Sequence, residues 1–163
     1  MNKSCPAPKE CIRQLSLLFA AMLIGILIFA GFVIFIVVTN NGGLMNSYAH
    51  SYDVLKWVFA ALVVFLIPFA IITHRRKTEK INPLLRLEEK LTLYRNSFLF
   101  KIMIIDFICM LNSFLLLLYG EIYLVAPLAL FFTYFILNRP YVERIAEELN
   151  LSYQEKSLLK DQI

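Results

Sequence analysis

Four long apolar runs decide most of what this chain can become. They are Leu15 to Val38, Val54 to Thr73, Phe98 to Tyr119 and Ile122 to Leu137. The first three hold about 20 residues or more, enough for an α-helix to cross the roughly 30 Å hydrocarbon core of a bilayer. The fourth, at about 16 residues, spans if the bilayer thins or if Tyr123 and Asn138 sit at the interfaces. The runs are continuous, whereas membrane barrel strands alternate over short segments. Of the 163 residues, 60% are hydrophobic and only 17% charged, low for a soluble domain. The predicted class is all-α: an integral membrane four-helix bundle of two antiparallel hairpins, with short cytoplasmic amphipathic helices. Residues 1–14 form an arm, 15–138 the transmembrane domain and 139–163 a helical tail. The first run resembles a signal peptide in its basic start, but its apolar core is too long and no small-x-small site closes it. It is read as an anchor.

Charge sets the expected orientation. The connection 74–97 carries seven Lys or Arg residues, whereas Thr39 to Asp53 and the Gly120-Glu121 link carry none. Basic residues near span ends stay on the cytoplasmic side. Both termini and the basic 74–97 loop are therefore expected in the cytoplasm. Arg75, Arg76 and Lys77 suit anionic lipid headgroups, at about 1 kcal/mol per basic residue near a charged surface. The net charge of +4 thus points to the bilayer as partner and not to nucleic acid. On the opposite side, Lys56 and Trp57 are natural interface residues.

The connecting segments carry their own signals. Asn82-Pro83 reads as a helix start. Leu84, Leu87, Leu91 and Tyr94 then make an apolar face that lies on lipid, docks on the protein's own tail, or meets a partner. Ser152 to Glu155 is a capping box that opens a tail helix. The tail is more acidic than basic and shares a side with the basic loop, so the two could dock. In the first span Ala21 and Gly25 place small residues on one face, which favours close packing within the bundle over a dimer face. Pro68 should bend the second span.

Polar residues gather in the third span. Asp106, Cys109, Ser113 and Gly120 fall near one helical stripe, with Asn112 beside it. An Asp at mid-membrane costs roughly 2.5–3.5 kcal/mol on insertion scales, so it should face the bundle interior. The tight Gly120-Glu121 link makes spans three and four antiparallel neighbours. Counting back from it puts Tyr134 level with Asp106, with Gly25 and Pro68 nearby. The candidate site is an intramembrane polar pocket of Asp106, Asn112, Ser113 and Tyr134.

Catalytic signals are sparse. The two histidines, His50 and His74, fall on opposite sides in this topology, and no Gly-rich phosphate loop, HExxH, CxxC or GxSxG occurs. His50 and Asp53 read as solvated loop residues. Cys5 and Cys11 lack metal-site spacing and a nearby His, and no extracytoplasmic disulfide framework is expected. No cofactor, metal or catalytic residue is nominated. The expected function is non-enzymatic: a small multi-pass protein acting by interaction, as accessory subunit, scaffold or assembly factor. Its partners would be anionic headgroups and a membrane or cytoplasmic protein, and a homo-oligomer is the further option. The alternative is an oligomeric transporter or proton conductor using Asp106.

The stretch from Lys90-Leu-Thr-Leu-Tyr-Arg through Asn138-Arg-Pro to Leu149-Asn-Leu-Ser resembles small four-helix proteins of the bacterial inner membrane. That resemblance implies the same membrane and no particular activity. Asp106 stands where the resemblance leads one to expect Glu.

Overall fold

The computed structural model describes residues 8–44, 53–82 and 84–161. These form helices and turns with no strand among them. The elements are α1 (Pro8–Thr39), α2 (Asp53–Glu79), α3 (Leu87–Tyr119), a 3-10 turn (Ile122–Leu124), α4 (Val125–Leu137), α5 (Val142–Glu148) and α6 (Tyr153–Asp161). Helices α1, α2 and α3 are long and apolar enough to cross a membrane.

α3 is the centre of the molecule: α1, α2 and α4 all pack on it. Its sequence explains why. From Leu87 to Tyr119 no Pro or Gly interrupts 33 residues, and apolar side chains occupy most of its surface. Leu91, Tyr94, Phe98, Ile102, Ile105, Ile108 and Leu116 are fully buried. The helix stops at Gly120, whose φ of 67° and N–H bond to the Leu116 carbonyl form a left-handed cap.

α1 offers α3 one stripe: Cys11, Leu15, Phe19, Ile26, Ala30, Val33 and Val37 are buried. The spacing of three, four and seven is that of one helix face. The small-residue face expected at Gly25 is not what packs. A Cβ on Gly25 or Gly31 would meet nothing within 4 Å. The close approach is made elsewhere, at Gly43 and Gly120. A Cβ on either would overlap the other's backbone, and Leu44 N–H donates to the Leu117 carbonyl at 3.0 Å beside them. Close by at this end, Lys56 donates to Glu121 Oε1 at 2.8 Å and lies over the Tyr119 ring. The Tyr123 hydroxyl also donates to Glu121.

Several boundaries differ from the sequence reading. α2 runs unbroken through Pro68 and on to Glu79, so Arg75, Arg76 and Lys77 lie exposed on a helix and not in a loop. The connection between α2 and α3 is reduced to 80–86. α3 starts at Leu87, after Asn82. Asn82 instead accepts the Leu84 N–H at 2.9 Å, a local turn that competes with helix initiation. Pro83, His50 and Cys5 lie outside the described residues, as does the side chain of Asp53. Cys11 is disulfide-bonded, contrary to the expectation of no disulfide framework.

The fourth apolar run is the shortest element of its kind. Its α-helical part is 13 residues, about 20 Å at 1.5 Å per residue, less than a bilayer core. After Leu137 the chain turns by 83° into α5. The tail then folds back onto α2 and α3. Tyr94 donates to Glu148, and Lys90 donates to Glu155 at 2.7 Å. Ile145 and Leu159 are buried with Leu91. Of the amphipathic face of 84–97, Leu91 and Tyr94 are therefore covered by the protein's own tail, whereas Leu84 is left exposed. The capping box forms as read: Ser152 N–H donates to Glu155 Oε2 at 2.9 Å, and Glu155 N–H to Ser152 Oγ at 3.3 Å.

These contacts also order the ends. Arg95 donates to Gln14 at 3.2 Å, and Phe19 stacks on Phe135 with ring centroids 4.8 Å apart. The start of α1, the α2–α3 connection and the tail thus share one end of the molecule.

Candidate functional site

The polar residues singled out in the third span do not meet. Asp106 is half-buried and has no hydrogen bond among the described residues. It borders the outward stripe of Met103, Phe107, Met110 and Phe114. Asn112 is fully buried and donates to the Leu124 carbonyl at 3.0 Å, while its Oδ1 has no partner. Ser113 bonds back to the Cys109 carbonyl of its own helix. Tyr134 lines a cavity with Lys101 and Asn138. Asn112 therefore ties the 3-10 turn to α3, and Ser113 is satisfied locally, an arrangement that bends or steadies a helix without making a site.

The structure gathers a different set at the tail end. His74 projects from α2, Tyr94, Ser97 and Lys101 from α3, Asn138 from the end of α4, and Arg144 and Glu148 from α5. His74 Nδ1 lies 2.9 Å from Ser97 Oγ, and Nε2 lies 3.1 Å from Glu148 Oε2. Tyr94 donates to the same Oε2 at 2.8 Å, and Arg144 Nε donates to Oε1 at 2.9 Å. With Glu148 ionised, Nε2 of the ring must donate, and in the neutral ring Nδ1 then accepts from Ser97. The ring also packs edge-on against Tyr94 and Phe98.

Glu148 is the hub. Burial alone would raise its pKa from the ordinary 4.5, but hydrogen bonds from His74, Arg144 and Tyr94 outweigh it and hold the carboxyl at about 2. Arg144 has a second task. Its other nitrogens donate to the Leu137 carbonyl at 2.9 Å and to Asn138 Oδ1 at 3.0 Å. A cation at the C-terminus of α4 offsets the negative end of the helix dipole. It also fixes the sharp turn into α5.

Beside this network lies a cavity of about 360 Å³. Ile71 and Tyr134 line its apolar side, and Arg75, Thr78, Glu79 and Asn150 its polar side. Lys101 is 3% exposed and lines it too. Its ammonium makes one long hydrogen bond, 3.5 Å to Asn138 Oδ1, and sits 5.0 Å from the Phe98 ring centroid.

Ser97, His74 and Glu148 align in the order of a hydrolase triad, but the surroundings do not fit that chemistry. Ser97 is 3% exposed, and neither its hydroxyl nor its backbone opens onto the His74 cavity. It sits inside α3, where its backbone N–H is part of the helix ladder, so it offers no oxyanion donors. The linkage is a latch between α2, α3 and α5. Among the described residues no three His, Cys, Asp or Glu side chains converge as a metal set requires.

This network was missing from the sequence reading. Tyr94, Ser97 and Lys101 do fall at spacings of three and four, a polar line on an apolar helix that marks something to be satisfied. Glu148 is 54 residues beyond Tyr94, and no local pattern ties it to them. Comparison with family models, with curated proteins and with solved structures finds no match for this chain. The resemblance to small inner-membrane proteins gains no support there.

Proposed function

We propose that this is a small multi-pass membrane protein, a four-helix bundle with both termini cytoplasmic, that acts by interaction within the membrane as an accessory subunit, scaffold or assembly factor. The observation that carries the reading is the position of Asp106. An ionisable residue in a span is expensive and almost always faces protein or water. Here it is half-buried on the edge of an open apolar stripe, with no hydrogen bond of its own among the described residues. A second span laid over Met103, Phe107 and Met110 would cover it and supply a donor. A partner subunit or a second copy meets that need equally.

A photoreactive residue at Phe107 tests this in membranes. Crosslinks to protein are expected, and crosslinks to lipid alone would overturn the proposal. The second reading, an oligomeric proton or ion conductor, draws on the same carboxyl. Comparing wild type with Asp106→Asn in liposomes separates the two. Proton flux lost in a folded Asp106→Asn variant would favour conduction.

The orientation rests on the charge asymmetry. The disulfide at Cys11 pulls the other way, since such bonds persist in oxidising compartments. Lys and Arg near span ends act directly on insertion and so set the orientation.

A further inference from the structure

We propose that the cavity between α2, α4 and the docked tail is a phosphate-binding site anchored by Lys101. The argument starts from charge. The lining brings three cations, Arg75, Lys101 and Arg144, against two carboxylates, Glu79 and Glu148. Arg75 pairs with Glu79 at 2.8 Å and Arg144 with Glu148 at 2.9 Å. Glu148 already accepts from Tyr94, His74 and Arg144 and meets Lys101 only as a longer-range charge, with no bond between them. Lys101 forms no ion pair among the described residues, although it is one of the most buried charged groups in the protein.

Geometry makes the same point. Lys101 and Arg144 converge on one neutral acceptor, Asn138 Oδ1, at 3.5 and 3.0 Å. Two like charges on a single amide oxygen repel, and an ammonium with three donors is left with one long bond. A buried charge is stable only when paired and hydrogen-bonded. The space beside it is about 360 Å³, ample for an anion. A phosphate group fits this place for two reasons. It accepts from several donors at once, as Lys101, Arg144 and the free nitrogens of Arg75 would present them. The cavity also pairs an apolar lining at Ile71 and Tyr134 with a polar one at Arg75 and Asn150, as a phosphate carried on an apolar chain would require. This inference rests on Lys101 and does not depend on the interface over Asp106.

The test uses the full-length protein in detergent micelles. It is titrated by calorimetry with dioctanoyl phosphatidic acid in one arm and inorganic phosphate in the other, with dioctanoyl diacylglycerol as a lipid lacking phosphate. Saturable one-to-one binding is expected in at least one of the first two arms and not with diacylglycerol. Binding in the lipid arm alone assigns a lipid headgroup, and binding in both assigns a site for free phosphate. Lys101→Met should weaken binding at least tenfold, while Arg76→Met, outside the cavity, should change it less than twofold. Asn138→Asp places a carboxylate between Lys101 and Arg144 and should abolish binding on its own. It decides the matter should Lys101→Met fail to fold. One-to-one binding in neither arm would overturn the proposal. So would wild-type affinity in a folded Lys101→Met or Asn138→Asp variant.

Discussion

Glu148 ties the tail to two other helices at once, through His74 of α2 and Tyr94 of α3. Because its folded pKa of about 2 lies below the ordinary 4.5, its contribution is fully present above about 4.5. It is lost as the pH falls toward 2. Glu155 is shifted the same way: burial opposes, and Lys90 and Ser152 prevail. Thermal unfolding in micelles should therefore show Tm falling between pH 5 and pH 2. Glu148→Gln should flatten that fall and, at neutral pH, cost about 1–3 kcal/mol through the lost charged hydrogen bonds. Limited proteolysis should cut the tail of that variant sooner than that of wild type. Little of this residue-scale detail was legible beforehand. Asp106 stood out because a charge in an apolar run is visible in one dimension. His74 did not, because it sits among basic neighbours and its partners Ser97 and Glu148 come from other elements.

At the scale of elements, the glycines separate sharply. Gly120→Ala should destabilise by about 1–2 kcal/mol from the left-handed backbone alone, and more from overlap with Gly43. Gly43→Ala meets the same overlap without the backbone penalty. Gly25→Ala, with open space around it, should leave Tm unchanged or raise it, since Ala favours helix over Gly by about 1 kcal/mol. Ranking the three melting temperatures checks the packing directly. The sequence marked Gly120 as part of a tight link but assigned close packing to Gly25, because spacing along one helix cannot say which neighbour approaches. Helix existence was legible from the apolar runs. The start of α3 was not, since Asn82 spends its side chain on a local turn and Leu87 begins the helix without a side-chain cap.

For the whole molecule, reporter fusions at the C-terminus and in the 40–52 loop should report opposite sides of the membrane, the C-terminus cytoplasmic. The reverse assignment would side with the Cys11 disulfide over the charge rule. Among the described residues the start of α1, the α2–α3 connection and the docked tail lie at one end of the molecule. The polar residues of the third run set it apart in the sequence, but which helices would pack on it was not readable, because no local pattern names a neighbour. This arrangement has a consequence for the order of events at the ribosome. α1 and α2 emerge first, and their main packing partner is a helix that has not yet been made. For that interval they are separate guests of the lipid, and the third helix recruits them on arrival. A chain stopped after Glu79 should insert in full yet remain open to protease throughout, whereas one stopped after Leu137 should already resist it.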